Sequence, residues 1–223
     1  MAKPTLLSWS SGKDSAWALY QLQQSNEYDV RGLVTTINQQ YQRVAMHAVR
    51  LELLQRQADA AGLPLTVLAL PWPCSNEDYE SIMSEFVTNA VAQGIECMAF
   101  GDLFLEDVRA YRLKNLQGSG LEAVFPLWGM PTDRLAREMV DAGLRATLTC
   151  VDPRQLSGEW AGRLFDHDLL EQLPAGVDPC GENGEFHSYA WAGPMFKAAI
   201  QVEAGEVVER DGFVFADLLP GKS

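Results

Sequence analysis

Ser10, Ser11, Gly12, Lys13, Asp14 and Ser15 form one unbroken run of residue types that can hold a phosphate. Ser10 and Ser15 supply hydroxyl donors, Gly12 lets an anion approach the backbone, and Lys13 brings a mobile positive charge. The apolar lead-in from Thr5 to Trp9 reads as a buried strand, and Ala16 to Tyr20 as the first turns of a helix. A helix N-terminus carries backbone N–H groups without internal partners and a partial positive charge, so strand, loop and helix make an anion site. Spacing excludes two common nucleotide loops. A kinase- or GTPase-type P-loop needs Gly where Leu7 stands and Ser or Thr where Asp14 stands, and the dinucleotide fingerprint lacks its second glycine. A turn that only caps the helix remains the plain alternative.

The second chemical run is Asp178 to Ser188, too polar and glycine-rich for a core segment. Beside Gly181 it places Glu182, Asn183, Glu185 and His187 within six residues. Two carboxylates, an amide and an imidazole could hold Mg²⁺, an amine or a hydrogen-bonding substrate; a solvated turn explains them equally. The spacing fits neither a closed zinc site nor the His-Glu-x-x-His helix of a metalloprotease. Cys180 reads as structural rather than nucleophilic. Between the two runs, Gly101 and Asp102 follow an apolar stretch, and Glu106, Arg109 and Arg112 share a helical face. Simple i,i+3 ion pairs account for that face without a ligand. His47 either lines a site or sits on a helix surface.

The elements that must position these residues alternate. Strands are expected at Thr5–Ser8, Tyr28–Ile37, Leu65–Leu70, 97–100 and 121–125, with helices after the first loop and over 45–61, from Ser75 or Asn76 to Gly94, and over 106–117. Ile82, Phe86 and Ala90 form the expected buried stripe of the third helix. Such alternation predicts an α/β fold with a parallel sheet covered on both faces. Pro126 to Pro131, with Trp128 and Gly129, reads as a boundary, giving a domain at 1–127 and a smaller α+β domain at 128–223. There Thr132 caps a helix, 145–151 is a strand, 157–173 is helical pieces, and 199–218 is a hairpin turning at Asp211-Gly212.

Composition narrows the partners. Seventeen Lys and Arg against thirty Asp and Glu give a formal charge of −13, a field that repels nucleic acid and anionic membrane. The 223 residues show no secretory signal and no run long enough to span a bilayer. The four cysteines are far apart, which disfavours a disulfide scaffold and suits a reducing cytoplasm. A homodimer is the ordinary expectation.

The first run resembles the pyrophosphatase loop, Ser-Gly-Gly-x-Asp-Ser, of the adenine nucleotide alpha-hydrolase superfamily, which splits ATP into AMP and pyrophosphate. Ser11 departs from the second position's usual Gly. Together with the crossover rule, the resemblance implies a Rossmann-like sheet of the HUP type, five parallel strands in the order 3-2-1-4-5. The ligand crevice then lies between strands 1 and 4, where the phosphate loop and Gly101-Asp102 both fall. The loop, the run 100–112, the Pro126 to Trp128 boundary and the run 179–187 occur in this order in the diphthine–ammonia ligase family, in its compact form.

That resemblance implies an ATP- and Mg²⁺-using ligase that adenylates a carboxylate and transfers ammonia, with diphthine on elongation factor 2 as the characterised acceptor. It implies that Ser10, Ser11, Gly12, Lys13, Asp14 and Ser15 hold the phosphates, with Asp14 reaching Mg²⁺. Thr35 and Thr36 would flank base and ribose. Asp102 and Glu106 would face the α-phosphate, Arg109 and Arg112 would offset charge near it, and Gly101 would belong to the nucleotide site. His47, Gly181, Glu182, Asn183, Glu185 and His187 would hold acceptor and ammonia. Lys13, Asp14, Asp102, Glu182, Glu185 and His187 are the expected catalytic set. A small carboxylic acceptor fits the same chemistry. A tRNA sulfur transferase would want a basic face and paired cysteines, and a non-catalytic ATP/AMP-binding regulator would not need Asp102 or the 182–187 cluster.

Overall fold

The computed structural model describes residues 1–40, 43–44 and 49–221. The first sheet contains β1 (Lys3–Ser8), β2 (Tyr28–Asn38), β3 (Arg43–Val44), β4 (Leu65–Leu70), β5 (Cys97–Ala99) and β6 (Glu122–Val124). Five of them run parallel as β4-β2-β1-β5-β6, the expected order 3-2-1-4-5 once β3 is set aside. The short β3 pairs antiparallel with Ile37 and Asn38, past the end of β1. Helices α1 (Lys13–Gln24), α2 (Leu51–Ala61), α3 (Asn76–Ala92) and α4 (Glu106–Leu116) are the crossovers.

The second sheet is antiparallel and follows α5 (Thr132–Asp141). Its centre is β7 (Arg145–Val151), buried from Ala146 to Val151. It pairs with β9 (Phe186–Ala192) along one edge, and with β8 (Leu164–Phe165) and β11 (Phe213–Pro220) at opposite ends of the other. The strand β10 (Val202–Arg210) completes the hairpin with β11, turning at Asp211-Gly212 as expected. A short helix, α6 (His167–Gln172), follows β8.

One apolar core joins the two sheets. Trp9, Trp17, Leu19, Leu53 and Leu54 from the first half meet Leu148, Phe165, Phe186 and Tyr189 from the second. Burial of each such side chain contributes about 1.5–3 kcal/mol. Polar bonds set the alignment that apolar contact alone leaves loose: Tyr189 Oη donates to Leu53 O (3.0 Å), and Ala190 N to Ser11 O (3.0 Å). A smaller cluster, Val34, Val87, Met98, Phe100, Leu116 and Leu121, lies on the opposite face of the first sheet.

Four expectations need correction. Thr132 does not cap α5: it is the first helical residue, Pro131 stands at the N-cap, and no side chain caps the end. Helix α2 begins at Leu51 rather than Ala45, and residues 45–48 lie outside the described residues. Within 157–173, the helical pieces are interrupted by β8, because Ala146 and Thr147 of β7 offer a free edge that Leu164 and Phe165 complete. In α3 only Val87 and Ala90 are buried, while Ile82 and Phe86 are half-buried. The physical reason is that α3 roofs a cavity instead of lying flat on the sheet. Ser75 does cap α3, with a reciprocal bond between Ser75 and Asp78.

Candidate active site

The site is built outward from the end of β1. Gly12 precedes α1 with extended backbone and no side-chain cap, so the helix end stays open toward the loop. Ser10 Oγ accepts from Gly12 N (3.3 Å) and donates to Ser15 Oγ (3.1 Å), while Ser15 Oγ donates to Gly12 O (3.0 Å). These bonds fold the loop back on the helix. Ser11 bends it with φ 74°, a left-handed conformation that glycine adopts without penalty, and its buried hydroxyl has no partner among the described residues.

Gln57 holds the loop from below. This fully buried amide of α2 accepts from Trp9 Nε1 (2.8 Å) and donates to Ser11 O (2.9 Å) and Ala190 O (2.7 Å). From the side comes Gly101. A Cβ on it would lie 3.0 Å from Asp14 C and Ser15 N, so only glycine lets the chain after β5 press against the start of α1.

Two chambers open beyond the carboxyl ends of the strands. The first, of about 320 Å³, is apolar and lies between the sheet and helices α3 and α4, walled by Val34, Leu68, Met83, Phe86 and Met98. Thr35 and Thr36 reach its wall, and the Thr35 hydroxyl is buried without a partner among the described residues. The second, of about 270 Å³, is polar: Lys13, Asp14, Ser15, Gly101, Asp102, Gly181, Glu182 and Ser188 line it. Ser8, Ser10, Phe100, Arg112 and His187 line both, so the chambers meet. Arg112 stands at the junction, with its guanidinium 5.0 Å from the Phe100 ring centroid and Nε 3.4 Å from Asp102 Oδ2.

The second sheet brings the run 178–188 across this opening. Asp178 Oδ2 accepts from Glu182 N (2.9 Å), and Glu182 Oε1 accepts from Leu103 N (2.7 Å). Burial, together with the nearby carboxylates Asp14 and Asp102, pushes the Glu182 carboxyl up to about 7, against the opposing pull of the Leu103 N–H and Lys13. Burial, and then the Lys13 charge, hold the His187 imidazole down to about 4, so it is neutral at pH 7.

Lys13 is only 2% exposed. Its Nζ donates to both oxygens of Asp14 (2.8 and 3.0 Å) and to Cys180 O, and lies 5.3 and 5.5 Å from the Phe186 and Phe165 ring centroids. Burial is the largest influence and works against this charge, but the Asp14 carboxylate and the neighbouring acidic groups together outweigh it and raise the lysine pKa. The mobile cation expected at Lys13 is therefore a fixed one. Its thiol pKa driven up by burial, Cys180 gives its Sγ to Thr132 O (3.5 Å).

Other expected residues lie outside both chambers. Glu185 is buried under the run, where Oε1 accepts from Asp178 N (2.9 Å) and Asn183 Nδ2 (3.1 Å). Asn183 is exposed and Glu106 points to solvent. Arg109 lies against Trp128 and Phe125, 4.7 and 5.4 Å from their centroids. His47 is outside the described residues. Both Asp14 oxygens face Lys13, and among the described residues no group of three or more His, Cys, Asp or Glu side chains is placed to hold a metal. Sequence reasoning missed Ser8, Phe100, Tyr79, Met83, Asn115 and Ser188 as lining residues. Ser8, two residues before the loop, and Phe100 and Ser188, at the ends of the runs 100–112 and 178–188, carried a signal; Tyr79, Met83 and Asn115 come to the site only through packing.

Fold and site define a Rossmann-like ATP-binding enzyme. Residues 3–121 match the diphthamide synthase N-terminal domain family, and residues 131–216 its C-terminal domain family. Diphthine–ammonia ligase of Rattus norvegicus is 27% identical over 192 residues, covering 79% of this chain and 70% of that protein. The Homo sapiens protein is 25% identical with the same coverage, and that of Danio rerio 27% over 194 residues, covering 79% and 73%. The chain belongs to the diphthamide synthase family and is an ATP-dependent ligase. Among the described residues no helix is long and apolar enough to cross a membrane.

Proposed function

We propose that this ligase splits ATP into AMP and pyrophosphate, adenylates an acceptor carboxylate and transfers ammonia to it, the acceptor being a diphthine-bearing protein as in its named relatives. One observation carries the reading: the apolar and polar chambers join at Ser8, Ser10 and His187, with the open end of α1 on one side and Glu182 on the other. Residues 1–127 bind the nucleotide, and 128–223 present the acceptor.

The apolar chamber takes the base, beside Thr35 and Thr36. The loop Ser10 to Ser15 takes the phosphates, where hydroxyls and helix N–H groups stabilise the charge that grows on pyrophosphate. The acceptor carboxylate attacks the α-phosphorus and the bond to pyrophosphate breaks. Ammonia then attacks the acyl carbon and AMP departs. A carboxylate cannot expel oxide, so this activation is what makes the amide accessible. The nitrogen must lose a proton, and Glu182, poised at about 7, is the better base than His187 at about 4. Neutral His187 and Ser188 orient the reacting groups, and Asp102 holds Arg112 at the chamber junction. The Asp14 carboxylate is committed to Lys13, so the residues present do not fit a magnesium site of their own.

The experiment measures AMP and pyrophosphate release from ATP with ammonium, in wild type and Asp14→Ala. One tube holds a diphthine-bearing elongation factor 2, the other a pool of small carboxylic acids. AMP formed only with the factor supports the reading. AMP formed only with the small acids replaces the acceptor, and ADP in place of AMP refutes the mechanism.

A further inference from the structure

The cation of the phosphate loop is tied away from the place where phosphates would sit. An ammonium has three N–H donors, and Lys13 has three acceptors: two oxygens of Asp14 and the carbonyl of Cys180. Phe165 and Phe186, both fully buried, present ring faces to it. The backbone N–H of the same residue donates to Ser188 Oγ (3.2 Å), so both ends of Lys13 are bonded to the second half of the chain.

What the ammonium holds is the start of the acceptor run. Cys180 O is followed by Gly181 at φ 69°, where a Cβ would lie 2.8 Å from Phe186 O, and then by Glu182, whose carboxylate is bonded to Leu103 N. The segment is thus pinned at Cys180 to the nucleotide loop and at Glu182 to the chain after β5. We infer that Lys13 is a positioning residue, a clamp that holds the Cys180–Glu182 segment against the phosphate loop, and not a ligand of the phosphates. The inference rests on the ligase reading for its catalytic consequence, but the clamp itself is a property of the free protein. It assigns to the one lysine of the loop a task that the loop's sequence does not show: keeping the two reacting partners in register.

The test replaces Lys13 with Met, whose length and apolar stem suit the space between two phenylalanines. In the nucleotide-free protein, the clamp predicts that Lys13→Met accelerates amide hydrogen exchange across residues 180–186 by roughly tenfold or more. In turnover, it predicts a fall in kcat of about a hundredfold, the cost of misplacing a reacting group, with KM for ATP within about threefold of wild type. A phosphate ligand predicts the opposite division, with KM for ATP raised by about tenfold or more and exchange unchanged. That result would overturn the inference. Should Lys13→Met fail to fold because the half-buried Asp14 is left unpaired, Lys13→Met/Asp14→Asn removes both charges and is read by the same exchange measurement. If wild type forms no AMP at all, the ligase reading fails while the exchange data still decide the clamp.

Discussion

Ser11→Gly should make this protein more stable. Ser11 holds φ 74° and has a buried hydroxyl with no partner among the described residues. The left-handed conformation costs a residue with a Cβ about 1 kcal/mol or somewhat more. A buried hydroxyl without a bond costs about another 1 kcal/mol at the low end. Glycine gives back up to about 1 kcal/mol through its larger freedom in the unfolded chain. The bonds that Ser11 makes to Gln57 and Ala190 use its carbonyl and survive the change. The net gain is about 1 kcal/mol, or about 2–4 °C in Tm for a chain of this size. Thermal and urea denaturation of wild type, Ser11→Gly and Ser11→Ala separate the two contributions, because alanine removes the hydroxyl and keeps the backbone strain. Alanine should rise by about as much as glycine; a rise for alanine exceeding that for glycine by about 1 kcal/mol, the full cost of glycine's freedom in the unfolded chain, would show that strain at φ 74° contributes nothing. A fall for glycine would refute the reasoning entirely.

Three further outcomes follow from the same geometry. Gln57→Met, close in volume, strips the partners from Trp9 Nε1 and Ala190 O and should destabilise by about 2–4 kcal/mol, read by urea denaturation. Gly101→Ala drives a methyl against the backbone of Asp14 and Ser15; AMP formation should fall by about tenfold or more while Tm shifts little, since the chain after β5 can move back from the loop. Glu182 gives a pH signature. Its folded value of about 7 lies above the ordinary carboxylate value, so ionisation costs stability as pH rises from about 4.5 to 7, and Glu182→Gln should remove that decline. Amide formation, assayed at fixed free ammonia, should climb with pH through about 7 in wild type and lose that limb in Glu182→Gln.

Much of the nucleotide half was legible in the residues. The alternation of apolar runs with helical periodicity announced a parallel sheet, and Gly12 followed by Lys13 and Asp14 marked the start of α1, because such signals act over a few residues of chain. Asp211-Gly212 marked the hairpin for the same reason. The run 178–188 was legible as chemistry but not as geometry. Glu182 and Glu185 are alike in sequence, yet one enters the polar chamber and the other is buried beneath it, bonded to Asp178 and Asn183. Three positions along an irregular turn are enough to reverse a side chain, and no periodicity reports it.

The sequence by itself determined the alternating elements of the first half, the closing hairpin and the two runs able to do chemistry, since backbone propensity, capping and apolar period are local properties; β8 and β9 form only by pairing with β7. Tertiary structure alone decided which side chains face the site. Arg109 and Arg112, three apart on α4, part company because Phe125 and Trp128 take one and the chamber junction takes the other. Lys13 turns inward because, beside its neighbour Asp14, its third acceptor and its aromatic neighbours come from residues 165–186, distant in the chain and brought near only when the second sheet packs on α1. A charge goes where its partners are, and partners separated by more than a hundred residues are supplied by the fold.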